Sequence, residues 1–321
     1  MPRRSSAAMA EAAVSGAARP VVRSERPPST VYRSVAPAKI NLYLHVTGRR
    51  IDGYHTLDSL TAFAGVGDTV TAEASSDLSL AVDGPRAAEI PTDSSNLVLK
   101  AAERLRQAAG VKAGARLTLT KRLPVAAGIG GGSADAAAAL RVLARLWGID
   151  PNDGRLGQVA LETGADVPVC LHGKAAFVAG IGEILTPVPS LPAAWLVLAN
   201  PGVALATPAV FKARQGAFSS PAPFGQPVAD AGTLAELLKA RRNDLTAAAV
   251  SLVPQIGRVL TALETQPGIL LARMSGSGAT CFGLWAEQPS AEAAARALSE
   301  SAAGWWVVAA PLLADIAEGK A

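Results

Sequence analysis

The stretch Leu123–Leu143, LPVAAGIGGGSADAAAALRVL, decides how the rest of this 321-residue chain is read. Four glycines, Gly128, Gly130, Gly131 and Gly132, fall within five positions and run into Ser133 and a series of alanines. Glycine can take positive φ and lets backbone N–H groups approach a ligand closely, while alanine is the strongest helix former. The spacing predicts a helix from Ser133 to Trp147, with Ser133 as its N-cap and Gly148 as its stop. The free N–H groups and positive dipole end of such a helix suit a phosphate. Two familiar phosphate loops do not fit. Walker A needs a lysine after Gly132, and the dinucleotide pattern GxGxxG needs a glycine where Ser133 stands. The plain alternative is a tight strand–helix connection without a ligand, which would not need so many consecutive glycines. A phosphate reading leaves a lysine to be found elsewhere in the chain.

Composition narrows the remaining classes. Half of the residues are hydrophobic, yet no run of 18 or more apolar residues is free of charge, so no membrane span is expected. Cys170 and Cys281 stand alone in apolar settings, which points to two buried thiols in a reducing cytoplasm rather than a disulfide framework. His45, His55 and His172 lack metal-ligand spacing. The net charge of +4 lies in the first 33 residues, where six arginines face two glutamates. The rest is neutral, which argues against nucleic acid as a partner. Residues 1–30, rich in Ala, Ser, Pro and Arg, read as a disordered tail; Glu11 interrupts the apolar stretch that a secretory signal would need.

Order is expected from Val31. In VAPAKINLYLHVTGRR the apolar Ile40, Leu42, Leu44 and Val46 alternate with Lys39, Asn41, Tyr43 and His45, the pattern of a half-buried strand. After the turn at Asp52–His55 come two further strands, LDSLTAFAGV and DTVTAEA, and another candidate, LSLAVDGP. A helix over Ser95–Ala109, the strand ARLTLTKRL, and a helix over Leu156–Thr163 follow, with Asp166 in a fixed loop, TGADVP. Beyond Pro189, strands and helices mix without βαβ alternation, so the class is α+β with largely antiparallel sheets. Three prolines within Thr186–Pro192 suggest a boundary between domains of residues 31–188 and 189–321. Taken singly, Lys39 could be an edge-strand lysine, Asp166 a turn former and SGSGAT (Ser275–Thr280) a hairpin. No GxSxG elbow occurs, so a serine hydrolase has no support.

Together, PAKINL, DGYH, PxxxGIGGGSADAA, GADVP, PGVALATPAVF and SGSGAT stand in an order that resembles one family. The resemblance, from Val31 to Leu313, is to the superfamily of galactokinase, homoserine, mevalonate and phosphomevalonate kinases. PAKINL, GYH and the segment holding Pro208 and Phe211 point within it to the family that phosphorylates 4-diphosphocytidyl-2-C-methyl-D-erythritol. It implies an N-terminal domain like the second domain of ribosomal protein S5, a ferredoxin-like C-terminal domain and a substrate cleft between them. It also implies Asp166 as the base, oriented by Lys39, and ATP bound through Pro124, the four glycines and Ser133. Asn96 and Lys100 would lie near adenine or ribose. Mg²⁺ would accompany the nucleotide through Ser133, and no tightly bound cofactor is implied. Tyr54 and Phe211 would stack on the cytosine with Pro208 nearby, while His55 and Asn41 make polar contacts. Ile129 replaces a common leucine, and Ala134 a frequent second serine. The expected protein is a cytoplasmic monomer or weak homodimer. Homoserine or mevalonate kinase is disfavoured by GYH and Phe211, a nucleotide sensor without activity by the presence of both Lys39 and Asp166, and an RNA-binding module by the neutral body.

Overall fold

A computed structural model describes residues 30–317; all but the last residue of the expected tail lies outside the described residues. Two long strands organise the first half. Strand β1 (Tyr32–Arg49) pairs antiparallel with β2 (His55–Ser75) along its length, with bulges at Pro37/Lys39 and Asn41/Tyr43. The sequence suggested two strands where β2 runs unbroken. The glycines near Asp68 misled because they serve close approach rather than a turn. A Cβ on Gly67 would lie 2.4 Å from the Ala36 carbonyl oxygen, and one on Gly65 2.6 Å from Pro311. A second expectation also changes: β1 is buried on both faces from Ala36 to Val46, so its alternating polar residues face a polar interior rather than water.

The other edge of β2 takes three partners in turn. Strand β4 (Gly114–Thr120) pairs with Thr69–Ser75, β10 (Trp306–Leu313) reaches Phe63 and Ala64, and β5 (Ala176–Gly180) pairs with Leu57–Thr61. Strand β3 (Leu78–Asp83) runs parallel to β4, and β6 (Ile184–Pro187) antiparallel to β5. Four helices accompany this sheet: α1 (Leu97–Ala108), α2 (Gly131–Trp147), α3 (Gly154–Thr163) and α4 (Val167–His172). The alanine-rich side of α2 is fully buried against Phe63, Val70 and Ala72 of β2. Its small side chains let the helix lie close to the sheet, which fixes where its N-terminus emerges.

In the second half, β7 (Trp195–Asn200) leads through α5 (Thr207–Ala213), α6 (Ala231–Lys239), α7 (Thr246–Leu252) and α8 (Gln255–Glu264) to β8 (Leu271–Met274). Strand β9 (Cys281–Trp285), α9 (Gln288–Ser301) and β10 complete it. The antiparallel order β10-β7-β9-β8 is that of a ferredoxin-like sheet, as expected. Because Trp306–Pro311 pairs with β7 while Leu312 and Leu313 pair with β2, β10 joins both sheets into one. Both cysteines are free and buried, and burial pushes the Cys170 thiol up to about 12. Among the described residues no helix is long and apolar enough to cross a membrane.

Candidate active site

The bulge in β1 turns Lys39 toward the glycine loop, whose Ile129 carbonyl accepts the Lys39 backbone N–H at 2.9 Å. The ammonium donates to Asp166 Oδ2 at 2.9 Å and Asn41 Oδ1 at 3.0 Å. An ammonium has three hydrogens, so one is left. Behind Lys39, the Asn41 amide donates to Ser59 Oγ at 2.8 Å and Thr61 Oγ1 at 3.3 Å. Ser59 in turn donates to the Tyr43 carbonyl. This network fixes the amide with its oxygen toward the lysine, so Asn41 is occupied in holding Lys39. Asp166 takes the N-cap position of the short helix α4, where a loop was expected, and makes no capping bond there. Its side chain is 46% exposed while that of Lys39 is 5% exposed, so the carboxylate opens onto the cavity and the cation sits behind it.

Two loop glycines, Gly128 (φ 73°) and Gly130 (φ 62°), are left-handed. Gly131 and Gly132 are instead the first residues of α2, and Gly130 rather than Ser133 is its N-cap. The Ser133 hydroxyl, free of a capping bond, lines the cavity beside the helix N-terminus. The glycines also answer to packing. A Cβ on Gly128 would lie 2.4 Å from the Gly278 carbonyl oxygen, and one on Gly130 3.1 Å from the Lys39 side chain. SGSGAT therefore buttresses the loop: Ser275 Oγ donates to the Gly128 carbonyl at 3.2 Å and Thr280 N–H to the Ala127 carbonyl at 3.0 Å. Gly276 and Ser277 reach the cavity.

Beneath the loop lies a cluster that the sequence reading missed. Lys121, at the end of β4, bonds to Asp68 of β2 and, at 2.7 Å, to Asp135 of α2, all three with side chains at most 4% exposed. Asp68 also accepts the backbone N–H groups of Arg122 and Leu123, closing the strand's end. Burial, more than the neighbouring Asp68 charge, pushes the Asp135 carboxyl up against the pull of Lys121. Asp135 Oδ1 has no hydrogen-bond partner.

Lys39, Asn41, Asp166, the loop glycines, Lys121 and Asp135 line one cavity of about 1430 Å³ that also reaches the β1–β2 hairpin tip. There the His55 ring stacks on Phe211 with centroids 5.0 Å apart and an interplanar angle of 25°. Tyr54, expected with Phe211 to stack on the cytosine, is 62% exposed and lines the same cavity. Burial first, then the charges of Arg49 and Arg214, hold His55 below the usual imidazole range. Phe211 is carried by α5, which is tied to SGSGAT through Thr207 Oγ1 and Ser277 Oγ at 2.8 Å, with Pro208 in its first turn. Pro124 and Asn96 also line the cavity. Asn96 caps α1, accepting the Val98 N–H at 2.8 Å and donating to the Pro91 carbonyl at 2.7 Å, while Lys100 points to solvent away from the lining.

A relative from Paramagnetospirillum magneticum, a 4-diphosphocytidyl-2-C-methyl-D-erythritol kinase, is 57% identical over 88% of this chain and 99% of its own length. The chain belongs to the 4-diphosphocytidyl-2-C-methyl-D-erythritol kinase family. A second such kinase, from Rhodospirillum rubrum, is 56% identical over 88% of this chain and 93% of its own. The crystal structure of a 4-(cytidine 5'-diphospho)-2C-methyl-D-erythritol kinase superposes with a TM-score of 0.69 at 36% identity, covering 88% and 99% of the two chains. Residues 96–174 match the GHMP kinases N terminal domain and residues 227–304 the GHMP kinases C terminal domain. A homoserine kinase from Cytophaga hutchinsonii shares the fold, with a TM-score of 0.66 at 18% identity over 90% and 96% of the chains. As a member of this kinase family the protein is a small-molecule kinase with ATP as cosubstrate. Ile129 and Ala134, the two departures noted in its loop, are buried apolar residues, so neither presents a group to the cavity.

Proposed function

We propose that the protein transfers the γ-phosphoryl group of ATP to the 2-hydroxyl of 4-diphosphocytidyl-2-C-methyl-D-erythritol, giving the 2-phosphate and ADP in the non-mevalonate route to isoprenoid precursors. The Lys39–Asp166 pair beside the glycine loop carries this reading. Phosphoryl transfer asks mainly for positioning and for neutralisation of spreading negative charge. The loop and the N-terminus of α2 offer backbone N–H groups and a positive dipole end for the triphosphate. Lys39 engages Oδ2 of Asp166, which leaves Oδ1 to take the proton of the acceptor hydroxyl. The remaining hydrogen of the ammonium is directed to the attacking oxygen or the phosphoryl group.

The described residues contain no acidic cluster able to hold a metal alone, but the uncapped Ser133 hydroxyl fits a Mg²⁺ ion brought by the nucleotide. Such an ion would neutralise triphosphate charge. At the other end, the 5.0 Å stack leaves no slot between His55 and Phe211, so we place the cytosine between Phe211 and Tyr54, near Pro208, with His55 as a polar contact. The unpaired buried cysteines agree with a cytoplasmic setting, and we place the enzyme there as a monomer or weak homodimer. Assay with ATP and a panel of acceptors tests the reading. The cytidyl acceptor is expected to exceed methylerythritol 4-phosphate, homoserine and mevalonate by several orders of magnitude in kcat/KM, because each stacking contact contributes about 1–3 kcal/mol. Comparable values with and without the base would overturn it.

A further inference from the structure

The end of the cavity that carries the ring stack is cationic. Arg49, Lys212 and Arg214 all line it, and among the described residues none of the three pairs with a carboxylate. Asp52 lines the same end but is paired with Arg50 at 2.8 Å. The guanidinium of Arg214 is held from behind. It donates to the Gly216 carbonyl at 3.2 Å and the Ala217 carbonyl at 2.5 Å, and lies 5.1 Å from the centre of the Phe218 ring. A guanidinium has five N–H donors, so most of its capacity is unspent, and its buried Nε has no partner at all. Arg49 uses one donor, on the Gly53 carbonyl at 3.3 Å. Both arginines line the cavity with His55 and Phe211, and the charge of each lowers the His55 imidazole below its usual range. Positive charge of this kind, oriented yet without a counter-charge, is suited to a planar or tetrahedral anion.

Resting on the function proposed above, we propose that Arg214 and Arg49 form an anion subsite for the diphosphate of the acceptor, the group that joins the base to the polyol. A nucleotide whose base meets Phe211 carries its phosphates one ribose away from that ring, at the end of the cavity where, among the described residues, Arg49, Lys212 and Arg214 are the cations without a carboxylate partner. Of these only the guanidiniums offer a planar fork of donors. Arg214 is then a specificity residue for the diphosphate, and Arg49 its second donor.

Calorimetry with the full chain, saturated with a non-hydrolysable ATP analogue, separates the parts of the ligand. Cytidine, CMP and CDP are titrated into wild type, Arg214→Gln, Arg214→Lys and Arg49→Gln. Wild type is expected to bind CDP more tightly than cytidine. Arg214→Gln and Arg49→Gln should each weaken CDP about ten- to a hundredfold and leave cytidine unchanged, with Arg214→Lys between them. Cytidine serves as the control for the loop that Arg214 holds. An equal loss of cytidine and CDP would overturn the subsite, because the arginines would then shape only the base pocket. Unchanged CDP binding in both glutamine variants would also overturn it, with the proposed function still standing. Wild type that binds no cytosine compound would overturn the function and the subsite together.

Discussion

Two lysines flank the glycine loop, one against each of two neighbouring glycines: Lys39 beside Gly130 and Lys121 beside Gly131. Both are almost sealed from water and both are bonded to aspartate. They differ in what their partners face. Asp166 is 46% exposed, whereas Asp68 is 0% and Asp135 4% exposed. A buried cation with an open partner keeps a hydrogen and a carboxylate oxygen for a substrate. One held between two sealed carboxylates has its charge compensated inside the protein and ties β2, β4 and α2 together under the loop. Burial alone therefore does not separate the two lysines; the exposure of the counter-ion does.

Substitutions can break this comparison. The largest effect is expected for Lys39→Ala, which on the proposed function removes charge at the reacting oxygen along with the ammonium bonded to Asp166. Turnover should fall by about a thousandfold or more, with only a small change in Tm. An effect confined to Tm would show that Lys39 belongs with Lys121. Asp68→Asn is expected to do the reverse. It leaves the buried Lys121 short of a counter-charge, and breaking such a pair costs about 3–5 kcal/mol. Denaturant unfolding should show that loss, and the folded fraction should keep near-normal turnover.

Gly128→Ala sits between the two. A side chain there opposes the left-handed φ of 73° and meets the Gly278 carbonyl at 2.4 Å, so the loop must shift. The KM for ATP should rise about tenfold, and that of the acceptor much less. Equal rises would point to a general distortion.

The smallest effect concerns pH. Because burial raises the Asp135 carboxyl in the folded state, stability from this group is fullest below the ordinary carboxylate range and is lost as pH rises toward about 7. Asp135→Asn cannot ionise, so its Tm should fall less than that of wild type across that window. Parallel Tm profiles would remove Asp135 from the account.

Much of the open cluster was legible in the sequence because its parts lie in short motifs: Lys39 and Asn41 in PAKINL, Asp166 in GADVP and the glycines before α2. The sealed cluster was not, since Lys121 meets Asp68 and Asp135 across 53 and 14 residues; Asp135 stands in the GIGGGSADAA motif, but nothing local to Lys121 or Asp68 marks them as its partners. In β2, glycine in a strand was read as a break, but its missing side chain admits Pro311 and the Ala36 backbone. Ser133 was read as a cap from its place before the alanines. The left-handed Gly130 starts the helix earlier and leaves the hydroxyl for the cavity. At the base end Tyr54, His55, Pro208 and Phe211, all named from their motifs, line one cavity, and the His55–Phe211 stack is a contact those motifs did not suggest.

Asp166→Asn tests the central claim most directly, because the amide keeps the shape and loses the proton acceptor. Single-turnover phosphoryl transfer is measured beside ATP affinity and Tm. The account predicts a rate lower by about 10²–10⁴-fold with ATP affinity nearly unchanged, and a small change in Tm because a half-exposed pair contributes at most about 1 kcal/mol. A rate within a few-fold of wild type would contradict it.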